Sequence, residues 1–390
     1  MRIAIGGVRG IPARYGGFET SVEETACRMQ ELGHQVSVYC RSRSGNRDAI
    51  ECPGVKLIHL NVPAPNSLET IVHSIAVGLN VFANRSDFDV VHMYNAASVF
   101  GGLIVKAARK PLVMTLDGVE WKREKWNWLA RLVWRLSTRL AVNIADTVVC
   151  DSQTVRSMFE ARYGKTITYI PYGAKNPANV TDAYRDFGIT HKKYFIFVGR
   201  LVPEKQVDIL LEAYSKLSTD MPLVIVGDNE VDPDYVASLR SRARKNVLFL
   251  GYRYGETYES LLAHARVYLT ASNLEGTSPS LLAAMGAQVA CLVNSIPENR
   301  ETGGDAVVYF DGSINDLVEK WEALANHEDL VNSYAASGSC RVKTYYDWDA
   351  VTGQYIDIYS KTLNNSDRLV MPSSTSQDLQ QAWERTPRER

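Results

Sequence analysis

Three segments of the chain hold residue types that bind anions and hydroxyls. In Phe197-Val198-Gly199-Arg200-Leu201-Val202-Pro203-Glu204-Lys205-Gln206 an apolar run ends in a guanidinium, followed five positions later by an ammonium. A forked donor and a point charge at the carboxyl end of a buried strand suit a diphosphate. In Ser272-Asn273-Leu274-Glu275-Gly276-Thr277-Ser278-Pro279-Ser280-Leu281-Leu282-Ala283-Ala284-Met285-Gly286 a polar, glycine-containing loop runs into an apolar helix. Its N–H groups face outward along the helix axis, and Glu275 can accept hydroxyl hydrogen bonds. Neutral hydroxyls suit a sugar. The third segment, Gly6 to Thr20, is a glycine-dense loop before a helix that opens near Gly17. Such loops point N–H groups and the positive end of a helix at an anion. The spacing matches neither GxxxxGK[ST] nor GxGxxG, so a structural turn accounts for it equally well.

The elements that must position these segments are read from hydropathy. Short apolar runs alternate with longer amphipathic stretches, as strands and helices do in a parallel sheet, so the fold class is α/β. The first half predicts strands over Arg2–Ile5, Gln35–Tyr39, Lys56–Leu60, Val90–Met93, Leu112–Leu116, Thr147–Cys150 and Thr166–Ile170. After a Pro-, Gly- and Asn-rich linker at Pro171–Thr181 the second half predicts strands over Tyr194–Val198, Leu223–Val226, Val247–Leu250, Val267–Thr270, Ala290–Val293 and Ala306–Phe310. Two doubly wound domains facing each other across a cleft follow. The polar stretch from Asp367 to Arg390 predicts disorder.

Composition narrows the function classes. The 390 residues carry 43 Lys plus Arg against 44 Asp plus Glu, a net charge of -1, which removes the uniform positive field of a nucleic-acid binder. The opening Met1 to Gly7 is too quickly broken by glycine for a secretory signal, and no window approaches a membrane span, so a cytoplasmic location is expected. Cys27, Cys40, Cys52, Cys150, Cys291 and Cys340 lie far apart without metal-ligand spacing and read as reduced, mostly buried thiols. The pairs Asp87/Asp89, Asp232/Asp234 and Asp347/Asp349 fall near element ends without companion ligands and read as surface or capping acids. No metal is expected.

Four segments carry a resemblance. Arg9-Gly10-Ile11-Pro12-Ala13-Arg14-Tyr15-Gly16-Gly17-Phe18-Glu19-Thr20, Asp117-Gly118-Val119-Glu120-Trp121-Lys122-Arg123, Ile170-Pro171-Tyr172-Gly173-Ala174 and Gly276-Thr277-Ser278-Pro279-Ser280-Leu281-Leu282 resemble the family-4 retaining glycosyltransferases of GT-B fold. More narrowly, they resemble a polysaccharide rhamnosyltransferase-like branch, in order over residues 1 to about 361. The resemblance implies a Rossmann-like acceptor domain over 1–173 and a nucleotide-sugar domain over 174–345. It also implies a helix over 346–363 crossing back to the first domain, which leaves 364–390 as tail. Trp348 reads as a packing anchor of that helix.

Carried onto this sequence, the resemblance implies that Arg200 and Lys205 bind the donor diphosphate and stabilise its growing charge, the task a metal performs elsewhere. Asp117 and Glu275 would lie near the reacting sugar, Asp117 where many relatives place a histidine. Gly16, Gly17, Gly199, Gly227, Gly276, Thr277 and Ser278 would line the donor site, with Tyr252 and Arg253 near the base. Tyr15, Glu120, Trp121, Lys122 and Arg123 would meet the acceptor. No cofactor is implied beyond the donor substrate. One departure stands out: relatives pair the first glutamate with a second eight positions on, which grips the ribose, whereas position 283 is alanine. That departure motivates a rival reading, a catalytically silent nucleotide-sugar-binding or scaffolding partner. A nucleotide-sugar epimerase or phosphorylase would share the same architecture.

Between Trp121 and Leu140 the local charge is +5. Arg131, Arg135 and Arg139 recur every four residues on one helix face, Leu129, Leu132, Val133, Leu136 and Leu140 form another, and Trp121, Trp126, Trp128 and Trp134 surround them. This pattern suits the surface of an anionic membrane on its cytoplasmic side. A helix that buries its leucines in the first domain and solvates its arginines is the alternative.

Overall fold

Each apolar run ends at a glycine, proline or polar cluster, and in the structure, a computed structural model, those runs become strands. It describes residues 1–13, 16–41, 52–63, 68–116, 128–177 and 180–370. The first sheet comprises β1 (Arg2–Gly6), β2 (Gln35–Arg41), β3 (Lys56–Leu60), β4 (Val90–Tyr94), β5 (Leu112–Thr115), β6 (Thr147–Cys150) and β7 (Thr168–Tyr169). These seven strands run parallel in the order β3-β2-β1-β4-β5-β6-β7. The second sheet comprises β8 (Phe195–Val198), β9 (Leu223–Val226), β10 (Val247–Gly251), β11 (Val267–Thr270), β12 (Ala290–Asn294) and β13 (Val308–Phe310). Its order, β10-β9-β8-β11-β12-β13, repeats the pattern of the first. Two doubly wound parallel domains are therefore present, each reversing its winding beside its first strand, where such sheets bind ligands at their carboxyl ends.

In the first domain α1 (Gly17–Glu31) follows β1, while α2 (Glu69–Ala83), α3 (Val99–Ala107), α4 (Trp128–Ile144) and α5 (Gln153–Tyr163) follow β3 to β6 in turn. Right-handed crossovers put α1 on one face of the sheet and α2 to α5 on the other. In the second domain α6 (Val207–Lys216), α7 (Pro233–Arg242), α8 (Gly255–Ala263), α9 (Pro279–Gly286) and α10 (Pro297–Gly303) play the same part. After β13 the chain ends in α11 (Ile314–Asn326), α12 (Glu328–Tyr345) and α13 (Trp348–Val370).

The last helix packs on α1 and β5. Its Tyr359 hydroxyl meets His92 Nδ1 at 2.7 Å, and His92 Nε2 meets Thr115 Oγ1 at 2.7 Å. Full burial pushes the His92 imidazole down to about 3, so the ring is neutral at physiological pH and acts as a polar bolt. Trp348 lies against the backbone of Gly173, where an added Cβ would stand 2.4 Å from the indole. It anchors the helix.

Several features differ from the sequence reading. Cys27 of α1 and Cys52 before β3 are joined in a disulfide, with Cα atoms 5.4 Å apart, instead of remaining separate thiols. Both flank one cluster of the core, which brings together residues 25 apart in sequence. Cys40, Cys150 and Cys291 are buried free thiols and Cys340 is exposed. The linker is pinned down: Ala174 N donates to Tyr346 O at 2.8 Å, and Lys175 pairs with Glu24 at 2.7 Å. α13 continues to Val370, so residues 364–370, expected within the tail, are helical, and 371–390 lie outside the described residues.

The acidic pairs do serve as caps or surface partners. Asp232 accepts from Tyr235 N at 3.1 Å, Asp347 accepts from Asp349 N at 3.0 Å and Ala350 N at 2.9 Å, and Asp89 holds Arg2.

Candidate functional site

The carboxyl end of β8 delivers Gly199 and Arg200 half-buried, and a single 3₁₀ turn at Pro203–Lys205 swings Lys205 back beneath them. Gly199 Nα and Leu201 Nα donate to Val226 O at 3.0 Å and Asp228 O at 3.2 Å, which fixes this loop on the end of β9. Gly227 completes the join. Its φ is +133°, and a Cβ there would lie 1.9 Å from the Gly199 carbonyl. We expect Gly227→Ala to cost roughly 3 kcal/mol or more of folding stability and to displace the Arg200 loop. Urea unfolding checks this, and an unchanged midpoint would refute the close approach.

The loop after β11 closes the site from the other side. Asn273 Nα donates to Glu204 O at 3.1 Å, and the Lys205 ammonium is paired with the Glu275 carboxylate. Both side chains of that pair are largely shielded from water, at 17% and 10% exposure. Glu275 is thus held by a cation. Beyond it Gly276, Thr277 and Ser278 lead to the amino end of α9, with Pro279 in its first turn. Ala283 lies one turn further, packed against the core of the domain, and offers no carboxylate. On the remaining edge, Tyr252 donates to Asp228 O at 2.9 Å, and the Arg253 guanidinium sits 5.4 Å from the centre of the Phe187 ring.

Across the cleft, Gly16 caps α1 in an extended conformation and Gly17 begins it. A Cβ on Gly17 would meet Pro279 Cγ at 2.9 Å and Tyr172 Cζ at 3.1 Å, so the first domain's glycine loop faces the amino end of α9 directly. Two of that loop's N–H groups are already used: Arg9 Nα donates to Glu19 Oε1 and Ala13 Nα to Glu23 Oε2, each at 2.9 Å. The loop is therefore braced by its own helix, and Gly17 at its end meets the second domain. Asp117, Tyr15, Glu120, Trp121, Lys122 and Arg123 lie outside the described residues.

Sequence reasoning missed a cluster between the domains. Thr277 Oγ1 donates to the carbonyl of Asp151, at the end of β6. Glu301 of α10 reaches over to cap α5, accepting from Ser152 Oγ at 2.9 Å, Gln153 Nα at 2.6 Å and Thr154 Nα at 3.2 Å. A carboxylate at a helix amino terminus is favourable, so the second domain holds the first by a helix end. The Asp151 carboxyl is buried beside Gly276 and Tyr172, with Oδ1 lacking a hydrogen-bond partner among the described residues. Burial pushes it up to about 7, and the Glu301 charge adds to the rise. The signal in the sequence was the acid at a strand's carboxyl end. Its partner, 150 residues away, gave none.

Helix α4 does not take the alternative arrangement in which its leucines are buried. Its buried side is Ser137, Thr138, Ala141 and Val142, and Leu140 is partly buried. Trp128, Leu132 and Leu136 are exposed, at 76%, 44% and 58%, on the same outward side as Arg135 and Arg139. The helix does not bury these leucines. Leu129 and Trp121 to Trp126 fall outside the residues whose side chains are described.

Among the described residues no three of His, Cys, Asp and Glu gather as a metal site requires. No described helix is long and apolar enough to cross a membrane.

Comparison with known proteins supports the two-domain fold. Residues 182–339 match the family described as glycosyl transferases group 1, and residues 1–175 match a domain of unknown function. The phosphatidylinositol N-acetylglucosaminyltransferase GPI3 subunit of Saccharomyces cerevisiae is 25% identical over 90% of this chain and 81% of its own length. Among solved structures, sucrose-phosphate synthase from Thermosynechococcus elongatus superposes with a TM-score of 0.80 at 16% identity, covering 93% of this chain and 99% of its own. The Anabaena protein HepE, in complex with UDP and glucose, gives 0.76 at 19% identity over 92% of this chain and 99% of its own.

Proposed function

We propose that the chain is a glycosyltransferase of group 1 on its GT-B fold, and that it transfers a hexosyl group with retention of configuration. The donor is a nucleotide-diphosphate sugar, and the acceptor is a glycan or a polyprenyl-diphosphate-linked glycan in surface-polysaccharide assembly. The observation that carries this reading is the convergence of Arg200, the Lys205–Glu275 pair and the Gly276–Ser278 loop on one cleft, opposite Gly16 and Gly17. Arg200 and, once a bound diphosphate competes with Glu275 for it, Lys205 supply the charge that a leaving diphosphate demands, which supports a metal-independent reaction. The loop from Glu275 to Ser278 offers neutral and acidic acceptors to sugar hydroxyls. The acceptor hydroxyl attacks from the face the diphosphate leaves, and the diphosphate oxygen takes its proton. Closure of the domains excludes water.

The finer assignments rest on the resemblance of the four motif segments. They are a rhamnosyl donor, Asp117 beside the reacting sugar, Tyr252 and Arg253 near the base, and an acceptor held by Tyr15 and the 120–123 stretch. The exposed Leu132, Leu136 and Trp128 beside arginines support a cytoplasmic enzyme lying on an anionic membrane surface.

The test is a thermal-shift panel of UDP-, GDP-, dTDP- and ADP-sugars with magnesium and with chelator. Ligand in hundredfold excess over its Kd stabilises the fold by about 2.7 kcal/mol. The expected result is a rise in Tm with one nucleotide class, equal in both conditions, followed by transfer to a glycan acceptor with the anomeric configuration kept. No rise with any donor would leave a silent partner as the better reading, and product without acceptor would indicate an epimerase.

A further inference from the structure

We propose that Thr277 and Glu301 are positioning residues that lock the second domain onto the amino end of α5, and that this lock sets the shape of the donor loop from across the cleft. The proposal rests on the reading of the Gly276–Ser278 loop as the place where the nucleotide-diphosphate sugar binds.

The chain passes between the domains in the linker after Ile170 and again at Tyr346–Trp348, and the two passages lie side by side. Ala174 Nα donates to Tyr346 O at 2.8 Å, and Ala174 pairs with Asp347 in a parallel bridge. Adjoining crossings of this kind leave two domains able to turn about them, so contacts further out decide how the domains stand. Two separate elements of the second domain supply such contacts, and they reach consecutive residues of the first. Glu301 of α10 is fixed at both ends. Its carbonyl accepts from Arg341 Nη2 at 2.8 Å and from the Tyr346 hydroxyl at 3.2 Å, while its carboxylate accepts from Ser152 Oγ, Gln153 Nα, Thr154 Nα and Thr154 Oγ1. Thr277, on the loop after β11, donates its hydroxyl to the carbonyl of Asp151, the residue just before Ser152. Thr277, Asp151 and Ser152 are all buried.

The donor loop meets the first domain a second time two residues on, where Pro279 faces Gly17 at the start of α1. Its course is therefore set by β6 on one side and by α1 on the other. The Thr277 hydroxyl is turned to Asp151, which leaves the main chain of that residue to face a donor phosphate. The loop shape that receives the donor and the closed arrangement of the domains are then a single state. A ligand binds such a state with its intrinsic Kd divided by the fraction of molecules that hold it. Weakening the lock lowers that fraction, so donor affinity falls through contacts that the donor itself does not make.

Small-angle scattering and nucleotide titration of the full chain test this at pH 6, where Asp151 keeps its proton. The probes are UDP, GDP, dTDP and ADP. Thr277→Val keeps the side chain's shape and loses its hydroxyl. It should enlarge the radius of gyration of the nucleotide-free protein and raise the Kd of whichever nucleotide wild type binds by about tenfold. In transfer assays its donor KM should rise by the same factor while kcat stays within about twofold, because saturating donor restores the closed state. Thr277→Ser should return all of these to wild type. Glu301→Ala, whose side chain lies away from the loop, should shift radius and Kd in the same direction as Thr277→Val. A Thr277→Val protein that has a lowered Tm but keeps the wild-type radius and Kd would reveal a packing role alone and overturn the lock. A Thr277→Ser protein no better than Thr277→Val would overturn it too. If wild type binds none of the four nucleotides, the donor reading fails, and scattering alone decides the lock. Expansion in Thr277→Val that Thr277→Ser reverses upholds it, and an unchanged radius overturns it.

Discussion

Arg200→Ala and Lys205→Ala are each expected to lower sugar transfer by a factor of roughly a hundred to a thousand, the usual result of removing one preorganised donor from a charge-developing transition state. The two variants should differ in stability. In the donor-free fold Lys205 neutralises Glu275, and both groups are largely shielded from water. Truncating Lys205 leaves that carboxylate without its cation, at a cost of about 1 to 3 kcal/mol. Lys205→Ala/Glu275→Ala should recover most of this stability without recovering activity. Initial rates, together with urea midpoints for the three proteins, check the pair of statements. Turnover at the wild-type level in Arg200→Ala would remove the diphosphate assignment, whatever the stability data show.

Strands β8, β9 and β11 are legible in the sequence because each is a short apolar run buried along almost all of its length. Phe195–Val198 and Leu223–Val226, for example, begin within one residue of where hydropathy places them. The Gly199–Arg200 junction is legible for the same reason, since a cation just past a buried strand has nowhere to go but the sheet's carboxyl edge. What lies across the cleft is less legible. That Gly17 touches Pro279 depends on how two domains close, and no local pattern encodes a contact between positions 17 and 279. The disulfide is hidden likewise, because Cys27 and Cys52 meet only through the packing of α1 against the segment before β3. On α4 the helical period is legible in the sequence, but which side the fold covers is not. A row of leucines looks like a core face, but the side that the sheet and α3 cover is the one bearing Ser137, Thr138 and Ala141. Small side chains let α4 sit close to α3, and the leucines are left outside.

Asp151→Asn is expected to stabilise the protein at pH 8 and to leave it nearly unchanged at pH 4. In the unfolded chain Asp151 ionises near the ordinary 3.8, whereas the fold holds its proton up to about 7. Below about pH 4 both states carry the proton and the group has no effect on stability. As pH rises from there the unfolded chain releases a proton that the fold retains, so stability falls continuously. Above about 7 both states are ionised and the full loss has accrued. A difference of about three pH units at about 1.4 kcal/mol each sets an upper bound of about 4 kcal/mol on that loss. Asparagine keeps the shape and never ionises, so the variant should show a flatter dependence of its urea midpoint on pH. The Glu301 charge contributes to the rise, so Glu301→Gln should move the wild-type inflection to lower pH even as it weakens the cap on α5. Because Asp151 is wedged against the Thr277 loop, part of its penalty can be relieved by parting the two domains. A radius of gyration that grows between pH 6 and 8 in wild type, and stays constant in Asp151→Asn, would identify that relief. A variant that keeps the wild-type pH profile in both measurements would show that the buried carboxyl is not the group that titrates.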